Sequence, residues 1–173
     1  EIVEQCWNDF KDELRGKNFG PNGASSVLFL STLSITHALL GNFPMAVQYG
    51  EQAYQVARDS GRAYAQIYAL HALGISYLDR GEVDKAITYF QQGVDVLTSH
   101  EILFLYPGIA GELGYALALA GKIQDAHAVL GRMLAESDQM NLSFFQALGR
   151  AYLGMVCLID NDPESAERHG LRA

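Results

Sequence analysis

Residues 69–90, ALHALGISYLDRGEVDKAITYF, are apolar at both ends and broken in the middle by Asp79-Arg80-Gly81-Glu82. This pattern predicts two helices joined by a tight turn. It returns along the chain at an offset of forty residues. Leu33, Leu73, Leu113 and Leu153 form one column, and Ser34, Gly74, Gly114 and Gly154 the next. Gly41, Gly81, Gly121 and Asn161 follow, then Ala46, Ala86, Ala126 and Ala166.

Each column has a physical reason. Gly or Asn just past an apolar-periodic run suits a helix C-terminus, where the chain turns left-handed. Asn42 before Phe43-Pro44 and Asp162 before Pro163 fit an N-cap with proline in the first turn. The small residues at 34, 74, 114 and 154 and the alanines let helices approach closely. The leucines are the knobs between them, each worth roughly 1.5–3 kcal/mol when buried. The expected fold is all-α. First helices of each pair fall at 24–40, 62–80, 105–120 and 143–159, second helices at 43–58, 83–98, 123–137 and 163–172. Residues 3–15 fit the second-helix columns, with Cys6 at the Ala position and Phe10 matching Phe90. GKNFGPNG (16–23) and SHEILFLYPG (99–108) read as connectors, with Pro107 either ending a linker or opening the third pair.

Composition narrows the function. With 49% hydrophobic and 18% charged residues, the 173-residue chain can bury a core and is not a disordered tail. The net charge is −8 and the twelve basic residues are scattered, which argues against a nucleic-acid partner. Cys6 and Cys157 lie far apart in helical contexts, so neither a disulfide framework nor a zinc site is expected, and a reducing, cytoplasmic compartment fits. The longest apolar run, VLFLSTLSITHALL, is too short to span a bilayer and carries Ser, Thr and His. No signal peptide is visible, although the chain opens without Met.

The order Leu73-Gly74, Tyr77, Gly81, Ala86, Phe90 resembles the tetratricopeptide repeat, a helix–turn–helix unit with a spaced L-G…Y…G…A…F signature. The resemblance implies a right-handed solenoid of antiparallel helix pairs and one array over 1–173. That array comprises a half repeat at 1–16 and pairs at 24–60, 62–100, 104–140 and 143–173. The first copy departs at Ser34, His37 and Gly50, the third at Leu117 and Leu130, the fourth at Cys157 and Gly170. The forty-residue spacing resembles the longer variant of regulatory and scaffold proteins. Residues 111–130 and 142–169, above all GYALALAG and ALGRAYLG, resemble the C-terminal repeat tail of bacterial multidomain proteins joining a class III adenylate/guanylate cyclase domain to an AAA-type ATPase domain. Related tails occur in large transcriptional activators. The resemblance implies a protein-interaction or regulatory scaffold module of a larger signalling ATPase or cyclase-type protein. The alternative is a ligand-sensing regulatory domain with a small molecule in its groove.

No catalytic, cofactor or metal site is expected. GIAGELG (108–114) lacks the preceding strand and the Lys-Ser/Thr ending of a phosphate loop. His37, His71, His100, His127 and His169 show no metal-ligand spacing. Ser31, Ser34 and Ser76 lie inside helices without a strained elbow. The carboxylates near Gly81 and Asn161 read as solvated turn charges that favour helix starts.

In resembling arrays the first helices line the inner groove. The candidate groove residues are Ser31, Ile35 and Leu39, then Tyr68, His71 and Ile75, then Tyr115 and Leu119, then Met155. Within each helix these follow spacings that share one face. The face is mainly aliphatic and lacks the basic clamp for a C-terminal carboxylate, which disfavours a chaperone-tail binder. Three readings stay open: an apolar peptide or helix from a protein partner, cover by a neighbouring domain or a second copy, or inter-repeat core.

Overall fold

The computed structural model describes residues 25–173 together with Gln5, Asn8 and Asp9. The half repeat at 1–16 otherwise lies outside the described residues, as does the 16–23 connector. Among the described residues there is no strand, and the fold is all-α. The chain divides into two compact units, Glu1–His100 and Glu101–Ala173.

In the first unit, α1 (Ser25–Leu39) packs on α2 (Phe43–Ser60), α2 on α3 (Ala63–Asp79) and α3 on α4 (Val83–Ser99). The two first helices, α1 and α3, also lie side by side. In the second unit a 3₁₀ turn (Leu103–Leu105) leads into α5 (Tyr106–Leu119), followed by α6 (Ile123–Gln139), α7 (Ser143–Ile159) and α8 (Pro163–Gly170). The same scheme repeats: α5 on α6, α6 on α7, α7 on α8, and α5 beside α7. Pro107 therefore opens the third pair, in the first turn of α5.

The glycine column is explained by what stands opposite. A Cβ on Gly74 would lie 2.3 Å from the Phe90 ring, and one on Gly114 would lie 2.6 Å from Leu130. In the first pair the sizes are exchanged. Ser34 fills the room that Gly74 leaves open, and Gly50 stands where Phe90 would be. A Cβ on Gly50 would meet Leu73 at 2.8 Å and Ser34 Oγ at 2.9 Å. Ser34 Oγ, buried there, donates to the Ala46 carbonyl at 2.8 Å and lies 2.9 Å from Ser76 Oγ. The departures at Ser34 and Gly50 are thus one compensated exchange. The aromatic layer repeats likewise: His37 stacks on Tyr49 at 5.4 Å and Tyr77 on Tyr89 at 5.3 Å, each pair forty residues from the other.

Left-handed backbone recurs every twentieth residue, at Gly41, Gly61, Gly81, Glu101, Gly121, Asn141 and Asn161. The turn within each pair and the turn between pairs therefore use one geometry. At Gly81 (φ 86°) the chain reverses so that Glu82 N donates to the Tyr77 carbonyl at 2.9 Å, tying off the helix end. Glu101 adopts the same conformation (φ 56°) with a Cβ to accommodate. Glu101→Gly should therefore stabilise the protein by about 0.5–1 kcal/mol in chemical denaturation, because a side chain in that region costs energy that glycine avoids.

The two N-cap expectations separate. Asn42 makes no side-chain capping bond, whereas Asp162 accepts from Ser165 N at 3.0 Å. The Ser165 hydroxyl, then its backbone N–H, and the nearby Arg168 hold the Asp162 carboxyl below the usual aspartate range. A group with a depressed folded pKa contributes stability above its unfolded pKa and loses it as pH falls through the folded value. Hydrogen exchange of the α8 amides should therefore quicken below about pH 4. Asp162→Ala should remove that pH dependence and leave α8 frayed at neutral pH.

Candidate functional site

The sequence-derived face residues divide between the two units. In the first unit Ser31 is buried (5% exposed) and presents no surface. Ile35 is half-buried, and Leu39 stands out at 76% exposure at the end of α1. On α3, Tyr68, His71 and Ile75 are all half-buried. The His71 ring lies 6.1 Å from that of Phe90, tilted at 51°, so part of this residue belongs to the helix-pair core.

In the second unit Tyr115 on α5 packs against Tyr152 on α7, with ring centroids 6.3 Å apart. Beside it Gly111 lies beneath the same ring, where a Cβ would come within 2.4 Å. Glycine at 111 is therefore required by the close approach of α7. Burial, then the charge and hydrogen bond of Glu112, push the Tyr152 phenol well above its ordinary pKa, so it stays neutral. Leu119 and Met155 are exposed.

The α5–α7 contact serves as an internal reference. Gly111 and Tyr115 are covered by α7, while Ala151 and Met155, forty residues later on α7, are exposed. Met155 (39% exposed) continues into Leu158 (61%) and Ile159, and Phe144 (72%) stands at the other end of the same helix. Leu158 and Phe144 were missed by the forty-residue columns. The signal for them was present as an apolar residue at nearly every turn of α7, more than one buried stripe requires.

Among the described residues, no group of three or more His, Cys, Asp or Glu side chains could hold a metal ion. No helix among them is long and apolar enough to cross a membrane. The expected packing role of GIAGELG is met inside α5, where Gly111 faces Tyr152 and Gly114 faces Leu130.

Antiparallel helix pairs with small-to-large exchange at their contacts define a helical-repeat fold. Residues 24–99 match the family model of the Tetratricopeptide repeat. The chain is similar in structure to the nearly identical TPR-like repeats assigned to a kinesin light chain of Podosopora anserina (TM-score 0.67, 18% identity, 97% of this chain and 80% of that one). A single-substitution variant of those repeats superposes with a TM-score of 0.69, at the same identity and coverage. No curated protein matches the chain.

Proposed function

We propose that the chain is a protein–protein interaction and scaffold module, and that the first-helix faces carry the contact. Tetratricopeptide repeats in general mediate protein interaction and scaffolding, which agrees with this reading. The observation that carries it is the α7 face. Its Met155 is exposed where the equivalent residue on α5, Tyr115, packs against a ring of α7, and Leu158 is exposed where its equivalent, Ala118, is buried; Phe144 adds a further exposed ring on the same helix. Such a contiguous apolar face marks an interaction site, and its occupant is an amphipathic helix. The register of forty residues running through both units supports reading all four pairs as one array. Residues 111–130 and 142–169 support placing it in a larger bacterial, cytoplasmic signalling ATPase or nucleotide cyclase, whose neighbouring domain would supply the helix.

Met155→Glu and Leu158→Glu are the clean probes, since Tyr115 also packs on Tyr152. Each should leave the melting temperature within a few degrees of the parent, because exposed positions contribute little to folding. Each should weaken association by at least about tenfold where the helix is engaged. Light scattering over a concentration series tests for a second copy as the occupant. A rise in mass that both variants abolish assigns a second copy, and constant mass excludes it. Unfolding by both variants would return the face to the core and end the proposal.

A further inference from the structure

A cleft lies on the first unit between its two second helices and the end of α3. Tyr54 from α2, Tyr77 from the end of α3, and Lys85, Thr88, Tyr89 and Gln92 from α4 line this cleft of about 450 Å³. It shares no residue with the first-helix faces above. We propose that this cleft binds a proline-rich segment of a partner protein in the polyproline II conformation.

The shape fits first. Lys85, Thr88, Tyr89 and Gln92 are spaced i, i+3, i+4, i+7, one continuous stripe of α4. At 1.5 Å per residue that stripe is about 10 Å long, which spans about three residues of a polyproline II helix. Tyr77, buried, forms the floor, with its ring stacked on Tyr89 at 5.3 Å and 4° from parallel. Tyr54 and Tyr89, half-buried, offer ring surface for pyrrolidine rings.

The chemistry selects a neutral ligand rich in acceptors. A proline segment has carbonyls and few N–H donors. The cleft supplies donors: the Tyr54 hydroxyl, the one hydroxyl proton left over from the Tyr77–Tyr89 hydrogen bond, and the exposed Gln92 amide. Burial, then Tyr77 and Glu51 nearby, keep the Tyr89 phenol above its ordinary pKa and hence neutral. A cationic ligand is repelled, because the chain already holds two cations of its own beside these rings, whereas a neutral segment feels no such repulsion. Lys85 Nζ lies 5.0 Å from the Tyr77 centroid and the Arg58 guanidinium 5.8 Å from that of Tyr54. An anionic ligand must displace Glu82, which pairs with Lys85 at 2.5 Å and Arg80 at 2.7 Å. The local charges are therefore satisfied among themselves, and aromatic surface and neutral donors remain.

The test is calorimetric titration of the full chain with an end-capped ten-residue oligoproline. Gly/Ser and Arg-rich peptides of equal length serve as comparisons. Saturable one-to-one binding of the oligoproline is expected, at least about tenfold tighter than either comparison. Tyr54→Ala and Gln92→Arg should each weaken it by about tenfold or more. Gln92→Arg changes an exposed side chain, so an unchanged melting temperature separates loss of the site from loss of the fold. Met155→Glu should leave oligoproline binding unaltered, which distinguishes this site from the α7 face. Absence of saturable binding, equal binding of the Gly/Ser peptide, tighter binding of the Arg-rich peptide, or indifference to both cleft variants would overturn the proposal.

Discussion

Phe90→Ala should lower the free energy of unfolding by about 3–5 kcal/mol. The ring is fully buried and is the largest side chain wholly enclosed in the described structure. It occupies the space above Gly74, where an added Cβ would sit 2.3 Å away. Gly74→Ala alone should therefore also destabilise, by about 1–3 kcal/mol, through overpacking against Phe90. On the Phe90→Ala background its sign should reverse. The clash is then gone, and what remains is the gain of alanine over glycine in a helix interior, about 0.5–1 kcal/mol. A double-mutant cycle by chemical denaturation measures this directly. Simple additivity of the two changes would mean that the glycine column is not set by the residue opposite.

Leu113→Ala should cost about 2–5 kcal/mol by leaving a cavity. Leu113 is buried in α5 of the second unit, one position before Gly114, over which Leu130 packs. Its helix contacts both α6 and α7, so collapse around the void is resisted from two sides. Hydrogen exchange should show the loss of protection in the amides of α5, α6 and α7. Leu119→Ala, at the exposed end of the same helix, should stay within about 0.5 kcal/mol of the parent. Equal costs for the two leucines would put the register of α5 out of step with the other first helices.

The helix pairs were legible from residues alone because their determinants are local and repeated. A left-handed turn favours Gly or Asn at a stated place, and a close helix crossing favours a small residue at another. Four copies at one spacing made both visible at Gly41, Gly81, Gly121 and Asn161 and at the alanine column. The intervening turns at Gly61, Glu101 and Asn141 were hidden, since Glu101 takes the same conformation without the residue type that signals it.

The candidate surface was legible only as a face. Helical spacing put Ser31, Ile35 and Leu39 on one side of α1, but spacing cannot say how far a neighbouring helix reaches across that side. Burial decided it: Ser31 is enclosed and Leu39 stands free, eight residues apart on one helix. Likewise, Gly111 and Ala151 occupy one column, yet Gly111 lies beneath Tyr152 and Ala151 is exposed. The tyrosine cleft was beyond reach of the pattern altogether. Tyr54, Tyr77 and Tyr89 come from three different helices and occupy different places in the repeat. Residue order was enough to locate where helices start, stop and touch their nearest neighbours, because those are short-range steric demands. The tertiary structure alone decided which faces remain open and which separated side chains meet, because exposure depends on everything packed around a residue.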